Sequence, residues 1–313
     1  MDNENINISN NSNISNNLII QLPEEYGFVI IRHVSIDRHN TLWQDNYNNI
    51  RKYYPLSIKI MIVDDNSSTD TLYNTSQSPN FYSSQLTLKD IDKYYIKNDP
   101  NLSIYYIADY EPELLSCGEI LGYYMFNKIK PFKYAIVIHD SAIMNKYIDF
   151  QQYIKNMNNI ECFPLWDFEH TWDNFYYISQ IISLLDNNIE LINTCKNLSK
   201  WYGFFGIMSI VSNNYLDDIN NRYGILNPEK IKILKGSREM RMGMERIWGI
   251  IYFTEHIKNN TLKYNNYVEH KAIFGNIHEY YVNNGYKHWY DNYEDYKNKK
   301  FNKLPIVKIW NDR

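Results

Sequence analysis

Apolar and polar positions along the chain fall into short β-branched runs separated by segments of helical spacing. GFVIIRHV at 27–34 is a continuous apolar run that stops at Arg32 and His33, and it reads as a buried strand. NTLWQDNYNNIRKYYP then places Leu42, Tyr47 and Ile50 on one helical face and ends at Pro55. IKIMIVDD, 58–65, is a second buried strand. Strand, helix, strand in this order gives parallel neighbours joined by a right-handed crossover. A polar stretch covers 73–100; LSIYYIADYE at 102–111 predicts a third strand, SCGEILGYYMFNKI a helix, and FKYAIVIHDSAI at 132–143 a fourth strand. From 144 onward the alternation is lost, and aromatic loops such as FPLWDFEHTWDNF precede further helices. The expected fold class is α/β, with a mixed, mainly parallel central sheet flanked by helices.

Three of the strands finish at polar clusters: Arg32-His33, Asp64-Asp65 and His139-Asp140-Ser141. Each alone is explained by the turn and cap chemistry of Asp, Asn and Ser. Together they say more, because the C-terminal ends of parallel strands converge on one sheet edge, where ligands bind. Converging Arg, His and Asp side chains suit a ligand with phosphates, a metal, or both. The change of pattern after 143 suggests a nucleotide half followed by a substrate half in one domain.

Composition narrows the function classes. The 313 residues are 44% hydrophobic and 16% aromatic, enough for a substantial core in one compact domain. A net charge of -4 and a pI near 6.1 argue against a protein that coats nucleic acid or anionic membrane. Cys117, Cys162 and Cys195 form no CxxC pair, so a reducing compartment fits better than a disulfide framework or zinc module. No run approaches the roughly 20 apolar residues of a membrane span. MDNENINISNNSNISNN, residues 1–17, lacks the charged and apolar regions of a secretory signal and reads as a disordered Asn-rich tail. The expected location is cytoplasmic.

In order along the chain, IVDDNSSTD, VIHDSAI, the Gly-aromatic YGFFGIMSIV at 202–211 and the helix MRMGMERIWGII at 240–251 resemble the motifs of GT-A fold glycosyltransferases. The Asn- and Tyr-rich chain looks most like those of giant DNA viruses. The resemblance implies a single GT-A-like domain over 18–313, with a nucleotide-binding half at 27–143 and an acceptor half and C-terminal extension at 144–313. It implies transfer of a hexose from a UDP-sugar, UDP-glucose or UDP-galactose, to a glycan or glycosylated protein hydroxyl. A collagen-like hydroxylysine glycan is one such acceptor, and a homodimer is compatible with the resemblance.

On this resemblance Arg32, His33, Asp64 and Asp65 contact the nucleoside, with a turn-forming role as the alternative for Asp64 and for Asp65. Asp140 and His278 hold a divalent metal, Mn²⁺ for preference, although His139-Asp140-Ser141 offers one carboxylate where the family has Asp-x-Asp. Glu245 accepts the proton of the attacking hydroxyl. Met240, Met244 and Trp248 form a stripe that buries its helix, and a salt bridge of Glu245 to Arg241 or Arg246 is the competing reading. Glu119 is placed one turn into a helix facing the same edge. Trp201 and Phe204 supply an aromatic acceptor platform. An inactive GT-A domain acting as a carbohydrate-binding or assembly module is the alternative, whereas a nucleotidyltransferase needs a Gly-rich basic loop that RHVSIDRHN lacks.

Overall fold

The computed structural model describes residues 26–75, 85–157, 160–169, 175–197, 201–259, 261, 272–287, 290 and 292–310. The tail expected at 1–17 lies outside them. The strands in chain order are β1 (Tyr26–Arg32), β2 (Lys59–Asp64), β3 (Leu72–Asn74), β4 (Gln85–Thr87), β5 (Leu102–Tyr106) and β6 (Tyr134–His139), then β7 (Ala142–Met144), β8 (Cys162–Pro164), β9 (Asp167–Glu169), β10 (Tyr202–Phe204), β11 (Ser209–Ser212) and β12 (Ile306–Lys308). The helices are α1 (Asp37–Tyr53), α2 (Leu88–Asn98), α3 (Ile107–Tyr110), α4 (Ile120–Ile129), α5 (Phe150–Lys155) and α6 (Phe175–Leu184), then α7 (Asn188–Asn197), α8 (Asn213–Tyr223), α9 (Pro228–Ile231), α10 (Arg238–Lys258), α11 (Ile277–Asn283) and α12 (Tyr293–Lys297).

Six strands form the central sheet in the order β5-β2-β1-β6-β11-β8. The first four run parallel, and β11 is antiparallel to both β6 and β8. The chain steps outward from β1 to β2 and β5, then returns to β6 on the other side of β1. That reversal opens a crevice beyond the C-terminal ends of β1 and β6, the usual ligand position in an open α/β sheet.

Strand geometry divides the core in two, because successive side chains point to opposite faces. Val29, Ile31, Met61, Val63 and Val137 join the side chains of α4, α8 and α10 on one face. Phe28, Ile30, Ile60, Ile62, Ile136 and Ile138 join α1, α2, β7 and β12 on the other. Both faces are covered, which explains why the parallel strands read as continuous apolar runs. The Met240, Met244 and Trp248 stripe of α10 is buried as its spacing predicts.

The structure departs from the sequence expectations at four places. The polar stretch hides α2, capped by Thr87 Oγ1 accepting from Asp90 N and burying Leu88, Ile91, Asp92 and Tyr95. The third strand stops at Tyr106 and continues as α3. The fourth is two strands, β6 and β7, divided by a turn at Asp140-Ser141. In the Gly-aromatic segment, β10 and a short 3₁₀ turn lead into β11, which is part of the central sheet.

One buried ionic cluster holds the sheet edge. Arg32 is fully buried; its Nε donates to Asp64 Oδ2 at 2.7 Å, and its two terminal nitrogens donate to Asp92 Oδ1 and Oδ2 at 2.7 and 2.8 Å. Tyr106 Oη also donates to Asp92, and the guanidinium lies 4.9 Å from the Trp43 ring centroid. Asp64 accepts further from Ser67 N and Oγ at 3.1 and 2.7 Å. Arg32 and Asp64, expected to contact a nucleoside, therefore spend their polar atoms on joining β1, β2 and α2. We expect Asp92→Ala to lower stability by about 3–5 kcal/mol in urea unfolding, since it leaves most of a buried guanidinium uncompensated; a loss below about 1 kcal/mol would show that the cluster does not hold the edge.

Candidate functional site

Beyond the ends of β1, β2 and β6 lies a cavity of about 590 Å³. His33, Asp65, Glu119, His139, Asp140, Glu245 and His278 all line it. Arg32 reaches the wall, with its guanidinium committed to Asp64 and Asp92.

The floor is built from backbone and side chain together. Asp140 N donates to Ile31 O at 2.9 Å, and His33 N donates to Asp140 Oδ2 at 3.0 Å, tying β1 to the turn after β6. His33 Nδ1 donates to the Asp65 carbonyl at 2.5 Å, which places a proton on Nδ1. Asp65 grips the next loop: Oδ1 accepts from Ser116 N at 2.6 Å and Oδ2 from Gly118 N at 2.9 Å. This is the turn-forming alternative for Asp65, and it positions Glu119 at the N-cap of α4, one turn earlier than expected. Gly118 has φ +78°, and a Cβ there would meet Arg241 Cδ at 2.4 Å, so only glycine lets the arginine lie across the loop.

The opposite wall comes from the segment before β11. His139 Nε2 donates to Gly206 O at 2.9 Å while Gly206 N donates to Glu245 Oε1 at 2.8 Å. Gly206, with φ +59°, links the end of β6 to α10, and a side chain there would strike the His139 ring at 2.6 Å. Asn66, Ser116 and Ile207, three of the six non-glycine residues with positive φ among those described, adjoin these same walls. Backbone strain of this kind persists where surrounding bonds over-determine it.

Charge in the cavity is balanced and unevenly distributed. Burial first, and the neighbouring Glu119 carboxylate second, push the half-buried Glu245 up from the usual 4.5 to about 8. Burial alone would raise Glu119 too, but His139 and Arg241 outweigh it and hold Glu119 below its ordinary range. Burial also raises Asp65 to about 6, against the lowering effect of the Ser116 and Gly118 amides, and it lowers His278. Two neighbouring carboxyls thus favour different protonation states, an acid–base asymmetry suited to proton transfer. Arg238, Arg241, Arg246 and Lys308 add cations to the lining.

Trp201 and Phe204 are buried in the core and do not line the cavity, which corrects the expected acceptor platform. Phe168, Phe205 and Trp310 line the cavity instead, and the guanidinium carbons of Arg246 and Arg238 lie 5.2 and 5.3 Å from the Phe168 and Trp310 centroids. Sequence reasoning missed Trp310 and Lys308 because the C-terminal segment returns to the site through β12 pairing with β7. Glu245 bonds to Gly206, whereas Arg246 donates to Met242 O at 2.9 Å.

Asp140 and His278, the expected metal ligands, share the cavity. Among the described residues, however, no three His, Cys, Asp or Glu side chains group as metal ligands. Asp140 already accepts from His33 N, and the Lys308 ammonium approaches the same turn through Ser141 Oγ. This donor set does not fit a metal held by the protein.

No protein-family model and no curated protein matches the chain. The crystal structure of S. aureus TarS 1–349 is similar with 13% identity and a TM-score of 0.38, over 72% of this chain and 56% of that one. The same TarS segment in complex with UDP gives 14% identity and a TM-score of 0.37, over 70% of this chain and 54% of that one. A likeness at this level carries no functional argument. No helix among the described residues is long and apolar enough to cross a membrane.

The raised carboxyls make a stability prediction. A carboxyl whose pKa is higher in the folded protein contributes stability that is complete below its unfolded value and is lost as pH rises through the folded one. Glu245 should therefore cost stability between pH 4.5 and about 8. In thermal unfolding, Glu245→Gln is expected to match the wild type near pH 5 and to exceed it above pH 8. Parallel curves across that range would show that Glu245 ionises normally.

Proposed function

We propose that this chain is a glycosyltransferase of the GT-A type that moves a hexose from a UDP-sugar to an acceptor hydroxyl. The observation that carries the reading is the meeting of His33, Asp65, Glu119, Asp140 and Glu245 with arginine and lysine side chains in one cavity at the switch point of the sheet. The preferred donors are UDP-glucose and UDP-galactose. The preferred acceptor is a glycan or glycosylated protein hydroxyl, with the hydroxylysine-linked glycan of a collagen-like chain as the concrete case to test.

In this reading His33 and the Asp65 loop flank the nucleoside, and the cationic side chains face the diphosphate. Phe168, Phe205 and Trp310 offer ring faces to the apolar CH surfaces of the sugars. In an inverting transfer the acceptor oxygen bonds to the anomeric carbon as the bond to UDP breaks, and Glu245 takes the acceptor's proton. Its raised pKa makes it a stronger base than an ordinary carboxylate once ionised. The donor set does not fit the manganese expected on the resemblance.

UDP-glucose or UDP-galactose at millimolar concentration is expected to raise the melting temperature, because a ligand that binds only the native state stabilises it. Sugar transfer should fall on the order of 100-fold in Glu245→Gln, about 3 kcal/mol of barrier, with the donor Kd little changed. The check is a coupled UDP-release assay with glycan acceptors, run beside donor titrations. Absence of donor binding would refute the donor site, whereas tight binding without turnover on any acceptor would favour a carbohydrate-binding module, the reading supported by the lone carboxylate at Asp140.

A further inference from the structure

Lys308, which belongs to none of the sequence motifs, is another residue of the cavity lining. It is 7% exposed, yet its side chain forms part of the cavity wall. Its Nζ donates to Ser141 Oγ at 2.5 Å and to Ile309 O at 3.3 Å. Its backbone is fastened on every side: Lys308 N donates to Tyr281 Oη at 2.9 Å, and its carbonyl accepts from Tyr281 Oη and Asn292 Nδ2, each at 2.8 Å. Lys308 pairs with Ala142 across β12 and β7, and Ile309 N donates to Ser141 O at 2.8 Å. The ammonium is thus held beside the turn that follows β6.

That turn is where the resemblance places a metal ion against the donor diphosphate. A diphosphate entering a cavity that already contains Glu119, Asp140 and Glu245 needs a cation between it and those carboxylates. Lys308 lines the same cavity as Glu119, Asp140 and Glu245, with its ammonium bonded to Ser141 Oγ in the turn that also carries Asp140. A buried ammonium in fixed geometry is screened less than one in water, and a divalent ion brought beside it would be repelled. Tethering by β12 means that little reorganisation is needed as charge develops on the leaving group.

We propose that Lys308 supplies the positive charge that receives the donor's diphosphate and stabilises it as the leaving group, in place of a protein-held metal ion. The inference rests on the nucleotide-sugar reading above. When the anomeric carbon–oxygen bond breaks, its electron pair stays on the diphosphate oxygen, and the Lys308 ammonium faces that oxygen as a hydrogen-bond donor. No proton leaves the lysine.

The test is calorimetric titration of UDP and of uridine into chelator-treated wild type, Lys308→Met and Ser141→Ala, repeated with Mn²⁺. The wild type is expected to bind UDP without metal. Lys308→Met should weaken UDP roughly 10- to 100-fold, the worth of one charge-assisted hydrogen bond, while leaving uridine within about 2-fold. Ser141→Ala, which removes only the anchor, should show a smaller loss with the same selectivity. Equal losses for UDP and uridine in both variants would overturn the proposal and make Lys308 structural, and UDP binding that requires Mn²⁺ would return the role to a metal. Wild type that binds uridine and UDP equally would overturn Lys308's role while leaving a nucleoside site, and wild type that binds neither would overturn the donor reading itself.

Discussion

The buried guanidinium of Arg32 is the constraint on which the site depends. Two carboxylates from different elements, Asp64 at the end of β2 and Asp92 inside α2, converge on it with the Tyr106 hydroxyl in support. A charge taken out of water is tolerated only when its hydrogen-bonding capacity is met, so this cluster forms as a unit or not at all. Because it fixes the last residue of β1 against β2, the next residue on each strand, His33 and Asp65, must leave the sheet at a set position. The hydrogen bonds of His33 with Asp65 and Asp140 follow from that placement.

The rest of the cavity grows outward from those exits through backbone contacts. Asp65 holds the Ser116–Gly118 loop, which delivers Glu119, and Gly206 joins His139 to Glu245. The two glutamates are brought close enough for the charge of one to raise the pKa of the other. Such an arrangement lowers stability at neutral pH and is of the kind suited to moving a proton.

Sequence made the sheet legible because β1, β2 and β6 are buried on both faces and read as unbroken apolar runs ending in Arg32-His33, Asp64-Asp65 and His139-Asp140. It could not say which member of each pair turns inward. Arg32 and Asp64 point into the cluster and His33 and Asp65 line the cavity, a choice set by Asp92 on a helix concealed in polar sequence. The aromatic wall was misjudged for a similar reason. In YGFF, Phe204 belongs to a strand packed on α10 and enters the core, whereas Phe205 begins a 3₁₀ turn and lines the cavity. Lys308 and Trp310 were invisible because a long-range pairing of β12 with β7, rather than any local pattern, carries them to the site.

The cavity at the switch point can be probed directly by photolabelling with an azido-substituted UDP analogue, followed by peptide mapping. Labelling is expected in the segments carrying His33 and Ser116–Gly118, suppressed by excess UDP. Labelling confined to the separate hollow formed by Thr41, Asp45, Tyr293 and Tyr296, or labelling that UDP does not suppress, would contradict it.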